Sequence, residues 1–130
     1  MSDELLQSLR GAIRTVPDFP YEGIMFRDIT PVLGDPGLMS SITNRFASDL
    51  ESLGWRPEAV VGPEARGFIF GPLLADCLNL PFIPVRKPGK LPAETIRAEY
   101  SLEYGSNTLE MHTDAPVSYT HLTLPTILLV

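Results

Sequence analysis

The chain has 130 residues, with 16 acidic against 10 basic side chains and a formal net charge of −6. That length fits one domain around one core, and 44% apolar against 20% charged residues excludes a disordered chain. The acidic balance argues against a nucleic-acid binder, no stretch nears the ~20 apolar residues of a membrane span, and a lone Cys77 behind a start unlike a secretory signal predicts a cytoplasmic protein.

Ser2 as a cap, Asp3 and Glu4 at the positive end of the dipole, and Leu5, Leu9 and Ile13 on one face predict a first helix, stopped at Val16-Pro17. The proline-rich stretch Pro17–Pro36 predicts an ordered irregular segment burying Phe19, Tyr21, Ile24, Met25, Phe26 and Ile29. Asp35 and Pro36 open a second helix with Met39, Ile42, Phe46, Leu50 and Leu53 as its apolar stripe and Gly54 as its stop. Ala59–Gly62 then reads as a strand, Gly67–Leu78 as a helix with Ile69, Leu73, Leu74 and Cys77 inward, and Phe82–Val85 as a strand, which together form a βαβ unit. Ile96–Leu102 and Thr108–Met111 predict two more strands, with turn chemistry at Tyr104–Asn107. Residues 116–130 contain no Asp, Glu, Lys or Arg and read either as a buried strand at Thr126–Val130 or as sequence foreign to the fold.

Three segments could carry chemistry. Val61–Phe68 leaves a strand and enters a helix with glycines on both sides, so its N–H groups can face an anion and Arg66 adds a forked donor; most such glycines, however, only make the turn. Arg86–Pro92 holds both lysines of the chain, and from Glu64 to Arg97 five basic residues stand against three acidic ones. A basic loop at the carboxyl end of a parallel strand fits a ligand site and fits a solvated turn equally well. Glu99 and Glu103, beside Tyr100, Tyr104 and Gly105, suit either proton transfer or a polar hairpin face. His112 and His121 lack the spacing of metal ligands, and Cys77 reads as packing.

In combination, Pro17–Pro20, Gly23–Leu33, Glu64–Pro72, Arg86–Pro92 and Tyr100–Gly105 resemble the adenine phosphoribosyltransferase family, in order and over residues 1–115. The resemblance implies an α/β, type I phosphoribosyltransferase-like (Rossmann-like) parallel sheet flanked by helices and incomplete at the C-terminus. It implies transfer of the phosphoribosyl group of 5-phosphoribosyl-1-pyrophosphate (PRPP) to adenine, giving AMP and pyrophosphate. Met25, Phe26 and Arg27 would then recognise adenine, and Glu64, Ala65, Arg66, Lys87 and Lys90 would meet pyrophosphate. Arg86 would reach the neighbouring subunit's site in a homodimer, and Arg66 and Glu103 would be catalytic, with Tyr104 on a mobile loop. Mg²⁺ would be held through PRPP rather than by protein ligands. After Asp114-Ala115 the family continues into an apolar strand ending in two aspartates and an Ala-Thr-Gly-Gly-Thr-type loop that grips ribose and phosphate. Here 116–130 stands instead, expected to be frameshift- or vector-derived, so transfer is expected to be impaired. The alternatives are a non-catalytic purine-sensing regulator and a 6-oxopurine (xanthine-type) phosphoribosyltransferase.

Overall fold

A computed structural model describes residues 2–102 and 105–115. The chain divides into two compact units, Met1–Gly54 and Trp55–Val130.

The first unit runs α1 (Ser2–Ala12), β1 (Arg14–Pro17), β2 (Met25–Asp28), α2 (Thr30–Leu33) and α3 (Pro36–Ser52). The first helix stops at Ala12, short of Val16, because Arg14–Pro17 pairs antiparallel with Met25–Asp28. β-Branched Thr15 and Val16 before a proline favour that extended state, and Arg14 opposite Asp28 closes an ion pair across the ladder. In the connecting loop the Asp18 carboxylate accepts the Gly23 N–H at 2.8 Å. A hairpin and a one-turn helix thus replace the expected irregular segment. The expected burial fails too: Phe19, Tyr21, Ile24, Met25 and Phe26 are all exposed, and Ile29 is half-buried. A two-stranded ribbon, with no third strand among the described residues, leaves both faces open. Phe19 and Phe26 instead pack edge to face on each other, with centroids 5.1 Å apart.

Asp35 caps α3 by accepting the Leu38 N–H at 3.0 Å, and Pro36 occupies the first turn. Leu38, Ile42 and Leu50 are buried with Val32 of α2 as this unit's core, whereas Leu53, past the last turn, is exposed. Gly54 follows at φ +72°.

The second unit runs β3 (Val60–Pro63), α4 (Gly67–Leu78), β4 (Phe82–Val85), β5 (Thr95–Leu102) and β6 (Gly105–His112). β3 and β4 pair in parallel, Val60 with Phe82 through Pro63 with Val85, and α4 is the crossover. The close strand–helix approach needs glycine: a Cβ on Gly62 would lie 2.6 Å from the Gly67 carbonyl oxygen, and one on Gly71 would lie 2.3 Å from the Phe82 ring. The buried side of α4 carries Leu74 and Ala75, so Leu73 and Cys77, one turn apart on the neighbouring face, are exposed rather than inward. Val60, Ile83 and Met111 complete this core. β5 and β6 form an antiparallel hairpin in which Leu102 opposes Gly105, so Gly105, Ser106 and Asn107 belong to a strand and not to the expected turn. The Glu64–Ala65 and Phe19–Pro20 peptides are cis. Among the described residues no helix is long and apolar enough to cross a membrane.

Candidate functional site

Glu64-Ala65-Arg66 links the carboxyl end of β3 to the first turn of α4. Its start is tied to the neighbouring strand, since the Glu64 N–H donates to the Val85 carbonyl at 3.0 Å. The first bonds of α4 run from Phe68 N–H to Ala65 O and from Ile69 N–H to Arg66 O. The N–H groups of Ala65, Arg66 and Gly67 therefore have no acceptor among the described residues, at the end of a helix where partial positive charge accumulates. Arg66 is exposed and its side chain makes no cap.

The loop after β4 comes to meet this turn. The Glu64 carboxylate accepts the Lys87 N–H at 2.8 Å. It also lies 3.3 Å from Arg86 Nε and 4.0 Å from Lys90 Nζ. Arg86 Nε is buried and out of line for a hydrogen bond, so that contact is one of charge, and the guanidinium sits 5.7 Å from the Phe68 ring centroid. The Lys87 N–H does most to hold the Glu64 carboxyl below its ordinary range; burial opposes it, and the charges of Arg86, Lys90 and Lys87 add to the lowering. Glu64, expected to face pyrophosphate, is thus the internal anion that gathers Arg86, Lys87 and Lys90 beside Ala65 and Arg66. The side chains of Lys87, Lys90 and Arg66 remain exposed. Such an arrangement suits a multiply charged phosphate ligand, which would take donors from N–H groups, guanidinium and ammonium together.

In the first unit Met25, Phe26 and Arg27 lie on β2. One edge of β2 is used by β1, and its other edge has no strand partner among the described residues. An unpaired strand edge offers alternating N–H and C=O groups, the pattern presented by a planar heterocycle. The Arg27 side chain donates to the Thr15 hydroxyl. Asp28 accepts from the Thr30 hydroxyl at 2.5 Å, from Arg14 Nε at 3.0 Å and from the Thr30 N–H at 2.9 Å, and these bonds hold its carboxyl down to about 2.

Glu103 and Tyr104, and everything from residue 116 on, His121 included, lie outside the described residues. Glu99 and Tyr100 are exposed on β5. His112 accepts the Ala93 N–H through Nε2 at 3.4 Å. Among the described residues no three acidic, histidine or cysteine side chains converge on a point that could hold a metal. Glu64, the nearest carboxylate to the candidate site, is already engaged by cations. Among the described residues Glu64 therefore offers no free carboxylate to an ion at this turn.

One organising residue escapes sequence reasoning. Glu110 on β6 is only 4% exposed, yet charged. Its carboxylate accepts the Gly89 N–H at 2.9 Å, the Arg97 guanidinium at 2.9 Å and the Thr95 hydroxyl at 3.2 Å. The Gly89 bond contributes most to lowering its pKa, against the opposing effect of burial. The available signal was the cross-strand Arg97–Glu110 pair, which a turn at Tyr104–Asn107 hides by setting Glu110 opposite Ser101 instead.

No family model matches the sequence. The chain is 53% identical over 110 residues to the adenine phosphoribosyltransferase of Francisella philomiragia subsp. philomiragia, covering 85% of this chain and 63% of that protein. The adenine phosphoribosyltransferase of Thermoanaerobacter pseudethanolicus superposes with a TM-score of 0.78 at 51% identity, over 85% of this chain and 63% of that one. The adenine phosphoribosyltransferase of Saccharomyces cerevisiae, solved with D-2,5-dideoxy-2,5-imino-altritol 1,6-bisphosphate and adenine, superposes with a TM-score of 0.80 at 42% identity, over 87% and 65%. The chain thus spans 63% of the length of the first curated relative it matches.

Proposed function

We propose that this chain, which has the type I phosphoribosyltransferase fold and is similar to adenine phosphoribosyltransferases over 85% of its length, serves the transfer of the phosphoribosyl group of PRPP to adenine, giving AMP and pyrophosphate. The observation that carries this reading is the gathering of Arg86, Lys87 and Lys90 on the Glu64 carboxylate, beside Arg66 and the free N–H groups that open α4. Breaking the anomeric bond leaves positive charge on the ribose and negative charge on the departing pyrophosphate. Fixed cations and N–H dipoles at the carboxyl ends of β3 and β4 stabilise that leaving group as its charge grows. Arg66, exposed and unpaired within the described residues, is the donor most open to it.

The base takes the open edge of β2, where backbone groups of Met25, Phe26 and Arg27 would read adenine and the Phe26 ring would lie against it. Glu103 would take the N9 proton, and Tyr104 would close with the loop that carries both. Mg²⁺ enters this reading only as an ion carried on the phosphate oxygens of PRPP, and no step runs through it. The same reading takes the enzyme as a cytoplasmic homodimer, with Arg86 engaged by Glu64 and Phe68 of its own chain rather than by the partner's site. It treats 1–115 as the phosphoribosyltransferase part and 116–130 as foreign to it.

Amide shifts of the ¹⁵N-labelled chain test the base assignment. Adenine should move Met25, Phe26 and Arg27 at lower concentration than guanine or xanthine does. A stronger response to xanthine or guanine would move the reading to 6-oxopurines, and no response of β2 to any purine would overturn it.

A further inference from the structure

The loop that presents Lys87 and Lys90 has few means of holding its shape by itself. It contains Pro88 and Gly89, the latter at φ +82°, and most of its side chains are exposed. Besides the Lys87 N–H bond to the Glu64 carboxylate, the loop is held at two points by one residue of β6. At the start of the loop the backbone of Glu110 pairs twice with that of Arg86: the Arg86 N–H donates to the Glu110 carbonyl at 2.9 Å, and the Glu110 N–H donates to the Arg86 carbonyl at 2.7 Å. Three residues on, the Glu110 carboxylate accepts the Gly89 N–H at 2.9 Å. Arg97 and Thr95 of β5 take the second carboxylate oxygen, so the side chain is aimed by its own hairpin.

We infer that Glu110 is a second positioning residue of the cationic loop beside Glu64, fixing Arg86–Gly89 at both ends so that Lys87 and Lys90 face the β3–α4 turn. This rests on the pyrophosphate reading of that turn. A carboxylate with a 5% exposed side chain needs its hydrogen bonds. Spending one of them on a loop N–H makes sense where the loop must keep one shape. Glu110 itself would touch no substrate: one of its oxygens holds Gly89 and the other holds β5.

The test is pyrophosphate titration, by calorimetry, of the wild-type chain, Glu110→Gln and Glu110→Ala, with Gly89 amide exchange followed by NMR in each. Gln keeps an oxygen for the Gly89 N–H and Ala keeps none. Loss of one hydrogen bond to a charged group predicts about tenfold weaker pyrophosphate binding in Glu110→Ala. Glu110→Gln should regain most of that loss and retain the slow Gly89 exchange. Equal loss in both variants, or a fast-exchanging Gly89 amide in the wild type, overturns the inference. The wild-type and Gln measurements decide the question even where the Ala variant does not fold. A wild-type chain that binds no pyrophosphate but has a Glu110-dependent Gly89 amide would sink the pyrophosphate reading while leaving the clamp in place.

Discussion

Gly62→Ala tests whether the candidate site is set by the close approach of β3 to α4. The new methyl group would sit 2.6 Å from the Gly67 carbonyl oxygen and 2.8 Å from the Phe82 ring, where ordinary contact begins near 3.4 Å. The ring can turn aside, but the carbonyl is backbone in the first turn of α4, so relief requires the helix start to move by several tenths of an ångström. Overpacking of this kind costs about 1–3 kcal/mol. A smaller and opposite contribution comes from the unfolded chain, which Ala restricts by about 0.4–1 kcal/mol relative to Gly. The overpacking cost dominates, leaving a net loss of roughly 1–2 kcal/mol. Urea denaturation with an unchanged slope measures it. Gly11→Ala is the control: it lies in α1, has nothing within 4 Å of the added carbon, and should gain up to about 1 kcal/mol. Because Arg66 sits between Gly62 and α4, Gly62→Ala should also weaken pyrophosphate binding. A variant as stable as the wild type, with its affinity intact, would refute the argument.

Asp35→Ala removes the cap of α3 and should lower stability by about 1 kcal/mol, read from the denaturation midpoint. Arg66→Ala should weaken pyrophosphate binding by about tenfold or more while leaving the melting temperature unchanged, since that side chain is exposed and caps nothing. Asp28, held down to about 2 by Thr30 and Arg14, stabilises the first unit fully above its unfolded value near 4. That contribution disappears as pH falls through about 2, so Asp28→Asn should flatten the acid limb of a stability–pH curve. Parallel wild-type and Asn curves between pH 4 and 2 would contradict the assignment.

The bounds of α4 and β4 are legible in the sequence because both are defined locally: Gly67 ends the loop behind a short apolar strand, and Pro81 precedes the next strand. The cap at Asp35 is legible for the same reason. Pairing is not local, which is why β1 reads as the end of a helix until Met25–Asp28 is placed beside it. The same gap explains the aromatics of Phe19–Phe26. Their composition argues for burial, but exposure depends on what lies behind a ribbon, and a residue pattern does not contain that. Within the site, the basic loop and the glycine-flanked turn stand out from composition alone. The roles of Glu64 and Glu110 do not. Glu64 looks like one more residue of an anion loop until its carboxylate is seen to hold Arg86 and the Lys87 N–H. Glu110 looks like a polar strand residue until the hairpin register sets it opposite Arg97.

Mapping pyrophosphate onto the ¹⁵N-labelled chain tests the core of the account most directly. Saturable shifts at Ala65, Arg66, Gly67, Lys87 and Lys90, weakened by salt and moved to about tenfold or higher concentration in Arg66→Ala, are the predicted result. Shifts confined to other surfaces, or none at all in low salt, would contradict it.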